Sequence, residues 1–351
     1  MAELLKTIQL LLLLASSLKE ALFYKKLENN KVQCQLCFRQ CVVPENKRGF
    51  CRVRENKKGK LYSLVYNHPQ AIQVDPIEKE PMYHFLPNTE ILGIGTVGCN
   101  FVCQHCHNWH LSQETFKKEE SYFITPQEII EMAKRKNIKT ISFTYNEPTV
   151  FYEYILDIAQ EAKKNNINII WHSNGALNQE PLLALLEYTD GVVIDFKGIT
   201  NEILTKMSLA KIDNTLKTLK TIKEKGKWLE IVNLLIPTLN DSEEDIRRLC
   251  LWIKENLGDD IPLHFTRYFP NYKLTIPPTP ISTLEKAYRI AKEAGLKYVY
   301  LGNVPGHKYN STYCPKCNKR LIHRFHFTVL ENKIKNGKCP FCQEKIPGRW
   351  Q

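Results

Sequence analysis

The chain has 351 residues and a formal net charge of +12, and it contains 12 cysteines. This length can bury a full hydrophobic core, either as one barrel-sized domain with appendages or as two domains. All the cysteines except Cys250 fall into three groups of short spacing. Such grouping is typical of metal sites in an enzyme and excludes a small secreted disulfide scaffold.

The positive charge is concentrated in two regions of the chain. Residues 31–62 and residues 314–351 each contain nine Lys or Arg against two Glu, a net charge of +7, whereas residues 63–313 carry −3. Basic regions of this kind attract nucleic acid or acidic proteins, and they also occur as ordinary solvated surfaces. The basic character therefore belongs to the two regions that flank the middle of the chain.

The first residues contain one apolar run. Residues 10–15 are unbroken in apolar character but far fewer than the ~20 residues that a membrane span requires. The adjoining Ala15-Ser16-Ser17 is only faintly similar to the cleavage site of a secretory signal. We therefore predict that residues 1–30 supply a packed N-terminal helix and that the protein has no membrane partner.

The first group of cysteines comprises Cys34, Cys37, Cys41 and Cys51, with Gly49 beside the last of them. Four thiols with a glycine-assisted turn suit a tetrahedral structural zinc ion. A set of four cysteines also binds an auxiliary iron–sulfur cubane, and the spacing alone does not separate the two. Because no electron path demands a second cluster, we expect zinc at these four cysteines. We assign residues 31–89 to this four-cysteine module and to a proline-punctuated connector that follows it.

Strand-like apolar runs alternate with helical patterns over residues 90–305. The runs span residues 91–97, 140–145, 168–172, 191–196, 228–236, 262–268 and 298–302. Thr125 to Glu128 form a capping-box pattern with proline at the first helical position, and Asp241-Ser242-Glu243-Glu244 begins a helix that continues to Leu257. Alternation over ~210 residues predicts parallel strands with helices outside them. Because a complete eight-fold barrel takes ~250 residues, we predict an α/β fold with a partial (β/α)6 barrel.

The second group, Cys99, Cys103 and Cys106, follows the first of these strands directly. Three thiolates on one loop can hold three corners of an iron–sulfur cubane, which normally takes four cysteines, and would leave one iron open for chemistry. A three-cysteine zinc site or a disulfide is the alternative, although zinc ligands usually come as Cys-x2-Cys pairs.

The third group consists of two Cys-x2-Cys pairs, Cys314 with Cys317 and Cys339 with Cys342. Two such pairs separated by about 21 residues are typical of a zinc ribbon. The segment is too small to form a core of its own without a metal. We therefore assign residues 306–351 to a C-terminal module that binds zinc.

The cysteine loop, together with the stretch from Cys106 to Gln113, resembles the radical S-adenosylmethionine (radical SAM) enzyme of the AmmeMemoRadiSam system, which is related to the pyruvate formate-lyase activating enzymes. The resemblance implies a [4Fe-4S] cluster on Cys99, Cys103 and Cys106, with S-adenosylmethionine as second cofactor. It also implies reductive cleavage of that cofactor to a 5′-deoxyadenosyl radical, which takes hydrogen from a substrate. No catalytic side chain is then required.

The same resemblance places cofactor contacts at the carboxyl ends of three strands, where parallel barrels carry their working residues. The residues so assigned are Asn146, Glu147, Ser173, Asn174, Asp195 and Lys197. Glu147 would accept from the methionine amino group, with a helix-capping role as the alternative. Lys197 would pair with the methionine carboxylate, with an internal salt bridge to Asp195 as the alternative.

Partners follow from the same reasoning. An activating-enzyme-like protein acts on a protein or peptide substrate, takes electrons from a donor such as ferredoxin or flavodoxin, and would work with the other AmmeMemoRadiSam proteins in a reducing cytoplasm. The basic flanking modules also allow an RNA substrate. A non-catalytic metal-bound interaction protein is the third class, and the intact cysteine loop disfavours it.

Overall fold

The N-terminal part of the chain is built from two small antiparallel sheets. The structure, a computed structural model, describes residues 18–351. One sheet has the order β1-β6-β5 and the other the order β2-β3-β4. These strands are β1 (Lys19–Glu20), β2 (Tyr24–Lys26), β3 (Val32–Cys34), β4 (Val42–Val43), β5 (Arg54–Lys57) and β6 (Lys60–Ser63).

The predicted N-terminal helix over residues 1–30 is wrong for residues 19–26, which form β1 and β2. Lys19 pairs with Ser63, and Tyr24 pairs with Cys34. This strand pairing overrides the helical propensity of a Lys-, Glu- and Leu-rich segment. The apolar run over residues 10–15 lies outside the described residues. Within residues 18–351, no helix combines the length and the apolarity needed to cross a bilayer.

The middle of the chain forms an eight-stranded sheet with the order β14-β13-β12-β11-β10-β9-β8-β7. Strands β8 to β14 are parallel, and β7 pairs antiparallel with β8 at one edge. The strands are β7 (Ala71–Pro76), β8 (Glu90–Gly95), β9 (Thr140–Phe143), β10 (Asn168–Ser173), β11 (Gly191–Asp195), β12 (Trp228–Leu235), β13 (Leu263–Arg267) and β14 (Val299–Gly302).

Helices connect the parallel strands on the outer face of the sheet, as the alternating pattern predicts. They are α1 (Trp109–Ser112), α2 (Pro126–Arg135), α3 (Tyr152–Lys164), α4 (Gln179–Leu186), α5 (Asn201–Ser208), α6 (Asp213–Glu224), α7 (Glu243–Leu257) and α8 (Ile281–Glu293). The predicted capping box at Thr125 is present, and the helix expected from Asp241 onward begins at Glu243 after an N-cap at Ser242. Each side chain satisfies a backbone N–H that the helix itself leaves free.

The partial barrel is confirmed, with two more strands than its six-fold name implies. Six strand–helix units are followed by β14 as a seventh parallel strand, and the connector supplies the antiparallel β7 as the eighth strand of the sheet. The edge position of β7 suits its final Pro76, which cannot donate a ladder hydrogen bond. The connector is therefore part of the barrel sheet and does not merely lead to it.

The hydrophobic core lies between the sheet and the outer helices, where Ile141, Ile155 and Leu219 are fully buried. The inner face of the barrel is more polar. There the Glu230 carboxylate accepts from His264 Nε2 at 2.7 Å, with both side chains buried. Because the strands are parallel, their carboxyl ends open at one rim, and that rim carries the polar residues described next.

The C-terminal module adds a small antiparallel sheet of β15 (Thr312–Tyr313), β16 (Arg320–Phe325) and β17 (Thr328–Asn332). Arg324 attaches it to the connector. The buried guanidinium donates to the Tyr83 carbonyl at 2.7 Å and to Thr312 Oγ1 at 2.8 Å, and its Cζ lies 4.1 Å from the Tyr83 ring centroid. The module therefore packs on the barrel through a buried cation.

Candidate active site

Cys99, Cys103 and Cys106 lie on the loop that leaves the carboxyl end of β8. Cys99 and Cys103 are buried, and Cys106 is partly buried. Ser208 Oγ lies 3.0 Å from Cys103 Sγ, and Ser112 Oγ lies 3.1 Å from Cys106 Sγ. The Phe101 N–H donates to Cys99 Sγ at 3.3 Å. Each sulfur is thus fixed by a separate polar neighbour.

The three sulfurs are not gathered around one point. Across residues 18–351, only the four C-terminal cysteines form a group of three or more potential ligands whose atoms all lie within 4.8 Å of one another. A single zinc ion in a tetrahedron of thiolates would bring the sulfurs to about 3.8 Å from one another. The spread loop therefore disagrees with a one-ion site and fits a cubane, in which each thiolate binds a different iron.

The environment of these thiols favours their neutral form when no metal is bound. Burial raises the pKa of Cys103 to about 11, and it raises the pKa of Cys99 well above the ordinary thiol value. A bound metal deprotonates a coordinating thiol outright. A bound iron–sulfur cluster would supply the positive charge that keeps three buried thiolates stable at this position.

Two connected cavities lie against the loop at the rim of the barrel. The smaller one encloses about 160 Å³ and is lined by the three cysteines together with Glu147, Ser173, Asn174 and Lys197. The larger one encloses about 370 Å³ and extends from Cys103 and Cys106 across the barrel mouth to Phe269 and Phe327. All three strand ends assigned from the sequence therefore line space adjacent to the cysteines.

Glu147 is buried and joins the ends of β9 and β10. Its Oε1 accepts from Thr149 N–H at 3.1 Å and from Ser173 Oγ at 2.7 Å, while Oε2 accepts from Asn174 N–H at 2.9 Å. Burial raises the pKa of this carboxyl, and these hydrogen bonds oppose the shift. The capping role is thus present, and Oε2, with a single donor, keeps a lone pair at the cavity.

Asn146 forms all of its side-chain hydrogen bonds with Thr96 and Gly98. Its amide protons go to Thr96 Oγ1 and the Gly98 carbonyl, and its oxygen accepts from Thr96 N–H. No amide proton is left for a cofactor. Asn146 therefore holds the start of the cysteine loop against the end of β9.

Ser173 and Asn174 are also bonded within the protein. Ser173 Oγ donates to Glu147 and accepts from Gly175 N–H, and Asn174 Nδ2 donates to Asn100 Oδ1 at 2.8 Å. Both residues are buried at the wall of the smaller cavity. In this geometry they connect the end of β10 to the cysteine loop.

Asp195 and Lys197 belong to a charged chain across the rim. Lys197 Nζ donates to Asp195 Oδ2 at 2.7 Å, and His172 lies between Asp195 and Glu80 at 3.2 Å from each. Burial disfavours the imidazolium, but the two carboxylates outweigh it and raise the pKa of His172 to about 10. Burial would raise the pKa of Asp195, but Lys197 and His172 outweigh it and hold that pKa below its ordinary range.

The sequence reasoning missed Glu80 and the bridging role of His172. Glu80 is 92 positions from His172 in the chain, so no local pattern connects them. Two signals were available in the sequence. Glu80 lies in the connector between Pro76 and Pro81, and His172 lies at the end of an apolar strand, a position that packing alone would fill with an apolar residue.

The C-terminal cysteines have the compact geometry that the active-site loop lacks. Sγ of Cys314 lies 3.5 Å from that of Cys342, and Sγ of Cys317 lies 3.7 Å from that of Cys339. These separations match four thiolates around one ion of zinc size. The C-terminal module therefore contains a preformed site for a single metal ion.

Comparison with known proteins agrees with this geometry. The model of the radical SAM superfamily matches residues 94–250, which contain all three loop cysteines. An uncharacterised protein of Methanocaldococcus jannaschii, MJ0808, is 43% identical over 334 residues, or 94% of this chain and 99% of that protein. The chain contains a radical SAM domain. The radical SAM fold predicted from the sequence is thereby confirmed.

More distant relatives of this radical SAM protein include activating enzymes. The pyruvate formate-lyase-activating enzyme of Clostridium pasteurianum is 28% identical over 177 residues, covering 46% of this chain and 70% of that enzyme. The crystal structure of Streptococcus suis SuiB bound to S-adenosylmethionine has a TM-score of 0.50 at 15% identity, covering 65% of this chain and 53% of that chain. The latter likeness concerns the fold alone.

Proposed function

We propose that this radical SAM protein cleaves S-adenosylmethionine reductively and uses the resulting radical to take hydrogen from a protein or peptide substrate. The observation that carries the proposal is the position of three spread thiols at one end of a cavity whose wall also holds Lys197 and Glu147. A [4Fe-4S] cluster on Cys99, Cys103 and Cys106 would supply the electron and an open iron for the methionine part of the cofactor.

Lys197 is the residue best suited to the cofactor carboxylate. It is partly buried on the cavity wall, and Asp195 keeps it charged by raising its pKa against the effect of desolvation. Because Asp195 also contacts His172, the ion pair has a second partner that can compensate when Lys197 turns toward a new anion. A charged hydrogen bond of this kind is worth more than a neutral one.

Glu147 is assigned to the cofactor ammonium through Oε2. Asn146, Ser173 and Asn174 act in our proposal as positioning residues, because their polar atoms hold the cysteine loop, Glu147 and the strand ends in one arrangement. This revises their predicted roles as direct cofactor contacts. Charged groups fixed in a buried site need little rearrangement when the cofactor arrives.

The larger cavity supports a protein or peptide substrate. Its outer wall includes Phe269 on the barrel and Phe327 on the turn between β16 and β17, so the C-terminal module contributes to the mouth. Phe269 is 39% exposed. An exposed aromatic side chain at an opening is typical of interaction surfaces. The activating enzymes among the relatives agree with this substrate class.

The remaining assignments concern metals and partners. We place Zn²⁺ at the four C-terminal cysteines, where it would stabilise the small sheet that carries Phe327. We also propose a ferredoxin- or flavodoxin-type electron donor, a reducing cytoplasm and membership of the AmmeMemoRadiSam system, the last on the residues from Cys106 to Gln113.

The test uses protein reconstituted anaerobically with iron and sulfide, then given dithionite and S-adenosylmethionine. We expect release of 5′-deoxyadenosine and methionine, detected by chromatography, and loss of both products in Cys103→Ala. Cys250→Ala, which changes a buried cysteine on α7 away from the cavities, is the matched control and should retain cleavage. Equal product from Cys103→Ala and Cys250→Ala would contradict the proposal.

The substrate class is tested by adding extract of the cells that naturally express the protein. We expect the extract to stimulate 5′-deoxyadenosine release, and protease treatment of the extract to remove the stimulation. Stimulation that survives protease but is destroyed by ribonuclease would instead support the RNA alternative. A salt-dependent gel shift would then measure the phosphate contacts directly.

A further inference from the structure

The cysteines of the N-terminal module surround a cavity of their own. Cys34, Cys37, Cys41 and Cys51 all line a space of about 20 Å³ between the two small sheets and the barrel. The other residues around it include Leu36, Val43 and Val150, so the walls are largely apolar apart from sulfur. Four thiols around one cavity are the donor set of a buried metal centre.

We propose that these four cysteines hold a second iron–sulfur cubane, distinct from the cluster of the active-site loop. Its four cysteine ligands all come from the N-terminal module, one for each of the four irons. It would have no open iron, unlike the three-cysteine loop. Its chemical class is therefore an auxiliary [4Fe-4S] centre that transfers or stores electrons and does not bind S-adenosylmethionine.

The spacing of the sulfurs separates iron–sulfur from zinc within this one chain. In the C-terminal module all four sulfurs lie within 4.8 Å of one another, as a single ion requires. Of the N-terminal four, all of which the structure describes, no three meet that limit. In a cubane the thiolates bind different irons and stand roughly 6 Å apart. The N-terminal set thus has the spread of the active-site loop and not the compactness of the zinc-type site.

The N-terminal module lies directly against the active-site loop. Gly98, which precedes Cys99, has φ +88°, and a Cβ on it would lie 2.5 Å from the Cys51 carbonyl oxygen. From the other side, Phe38 packs edge-on against Phe101 with ring centroids 5.7 Å apart. The segments that carry the two cysteine sets are therefore in direct contact.

An arginine supplies positive charge beside the N-terminal cysteines. Arg39 lines the cavity and also donates to the Asn100 carbonyl at 3.0 Å in the active-site loop, whereas the second arginine of the lining, Arg54, is already paired with Glu153. A cubane bound by four thiolates is an anion buried in a largely apolar hole, so it needs nearby cations. Arg39 lies between the two cysteine sets and can serve both.

The experiment counts metals and separates the two clusters by paired substitutions in the full-length protein. After anaerobic reconstitution, we expect about eight irons and about one zinc per chain. Cys37→Ser with Cys41→Ser should keep about four irons and a reduced cubane signal that S-adenosylmethionine perturbs. Cys103→Ser with Cys106→Ser should also keep about four irons, with a cubane signal that S-adenosylmethionine leaves unchanged.

The shared wall adds a second readout, since two reduced clusters so close together interact magnetically. The fully reduced unsubstituted protein should give a broadened electron paramagnetic resonance spectrum, and each double variant a simple one. About four irons with two zincs in the unsubstituted protein, or no cubane in the Cys103/Cys106 variant with its zinc retained, would overturn the inference. A failure of the proposed function would give a different result. The Cys37/Cys41 variant would then keep its cluster, but S-adenosylmethionine would not change the signal of that cluster.

Discussion

Arg54 and Glu153 form a two-pronged ion pair that is buried between the N-terminal module and helix α3. Arg54 donates to the two carboxylate oxygens at 2.8 and 2.9 Å, and the side chains are 2% and 0% exposed. Leu22 completes the arrangement by donating its N–H to Glu153 and accepting from Arg54. Each of these buried charges is stabilised only by the other, because no solvent reaches them. The ion pair therefore joins the N-terminal module to the barrel.

Glu153→Gln should destabilise the protein strongly. The substitution keeps the shape but leaves the Arg54 guanidinium buried without a counter-charge, and breaking a buried pair in this way costs about 3–5 kcal/mol. The measurement is the free energy of unfolding in urea at neutral pH. Glu131→Gln, which removes an exposed partner of Lys134, is the control and should cost at most about 1 kcal/mol. Similar values for the two variants would contradict the assigned importance of the buried pair.

Lys197→Met should weaken S-adenosylmethionine binding by about 1.5–3 kcal/mol, the usual value of a hydrogen bond to a charged group. Asp195 keeps His172 as a partner in this variant, so the rim is not left with an isolated charge. Calorimetric titration of anaerobically reconstituted protein measures the change. Lys206→Met makes the same change of charge on an exposed part of α5 and should leave the affinity unaltered. Equal affinities in both variants would remove Lys197 from the cofactor site.

Glu147→Gln tests whether the carboxylate binds the cofactor or only caps the turn at Pro148. Its amide nitrogen would face a donor, either Asn174 N–H or Ser173 Oγ, so we expect both a lower melting temperature and weaker cofactor affinity. Thr149→Val removes one hydrogen bond to Glu147 while keeping the charge, and should lower stability alone. If the two variants lose stability and both bind S-adenosylmethionine normally, the capping role is sufficient.

His84 should make the stability of the protein sensitive to mild acid. It is buried between the Pro347 carbonyl, 2.7 Å from Nδ1, and the Tyr300 hydroxyl, and burial lowers its pKa to about 4 although Glu230 opposes the shift. Between pH 6.5 and 4 the unfolded chain takes up a proton that the folded protein refuses, so stability falls as the pH falls.

The corresponding measurement compares unfolding free energies of the unsubstituted protein and His84→Gln at pH 7 and pH 5. Glutamine keeps a donor for Pro347 and does not titrate, so its loss between the two values should be smaller by about 2 kcal/mol. Nearby Glu230, His264 and Arg324 are present in both proteins, so their own contributions to the pH dependence largely cancel in the comparison. Identical losses would show that His84 is not the group responsible.

Much of the barrel could be predicted from the sequence because its signals are local. Apolar runs and helix caps such as Thr125 depend on neighbours within a few residues, and the cysteine loop needs only its spacing after a strand. The three cysteine groups were found for the same reason. The metals that we propose for the three groups were distinguished by the distances between their sulfur atoms. Those distances cannot be predicted from the spacing of the cysteines along the chain.

The remainder depends on contacts between distant parts of the chain. Arg54 is 99 positions from Glu153, and no pattern in either segment identifies the other. The strands at Lys19 and Tyr24 form because β6 and β3 are available to pair with them, against the local preference for helix. The sequence predicts Asn146 as a cofactor contact because it follows a strand of the barrel. In the structure its amide group donates to Thr96 Oγ1 and to the Gly98 carbonyl.

The contact between Gly98 and Cys51 limits how this protein can be recombined with others. Any side chain at position 98 would displace the Cys51 carbonyl, and the φ of +88° also disfavours every residue except glycine. A barrel transplanted without its N-terminal module would lose one wall of its cysteine loop. A module transplanted onto another barrel would fit only where the recipient loop has glycine at the matching place. For protein engineering, residues 18–107 thus behave as one cassette.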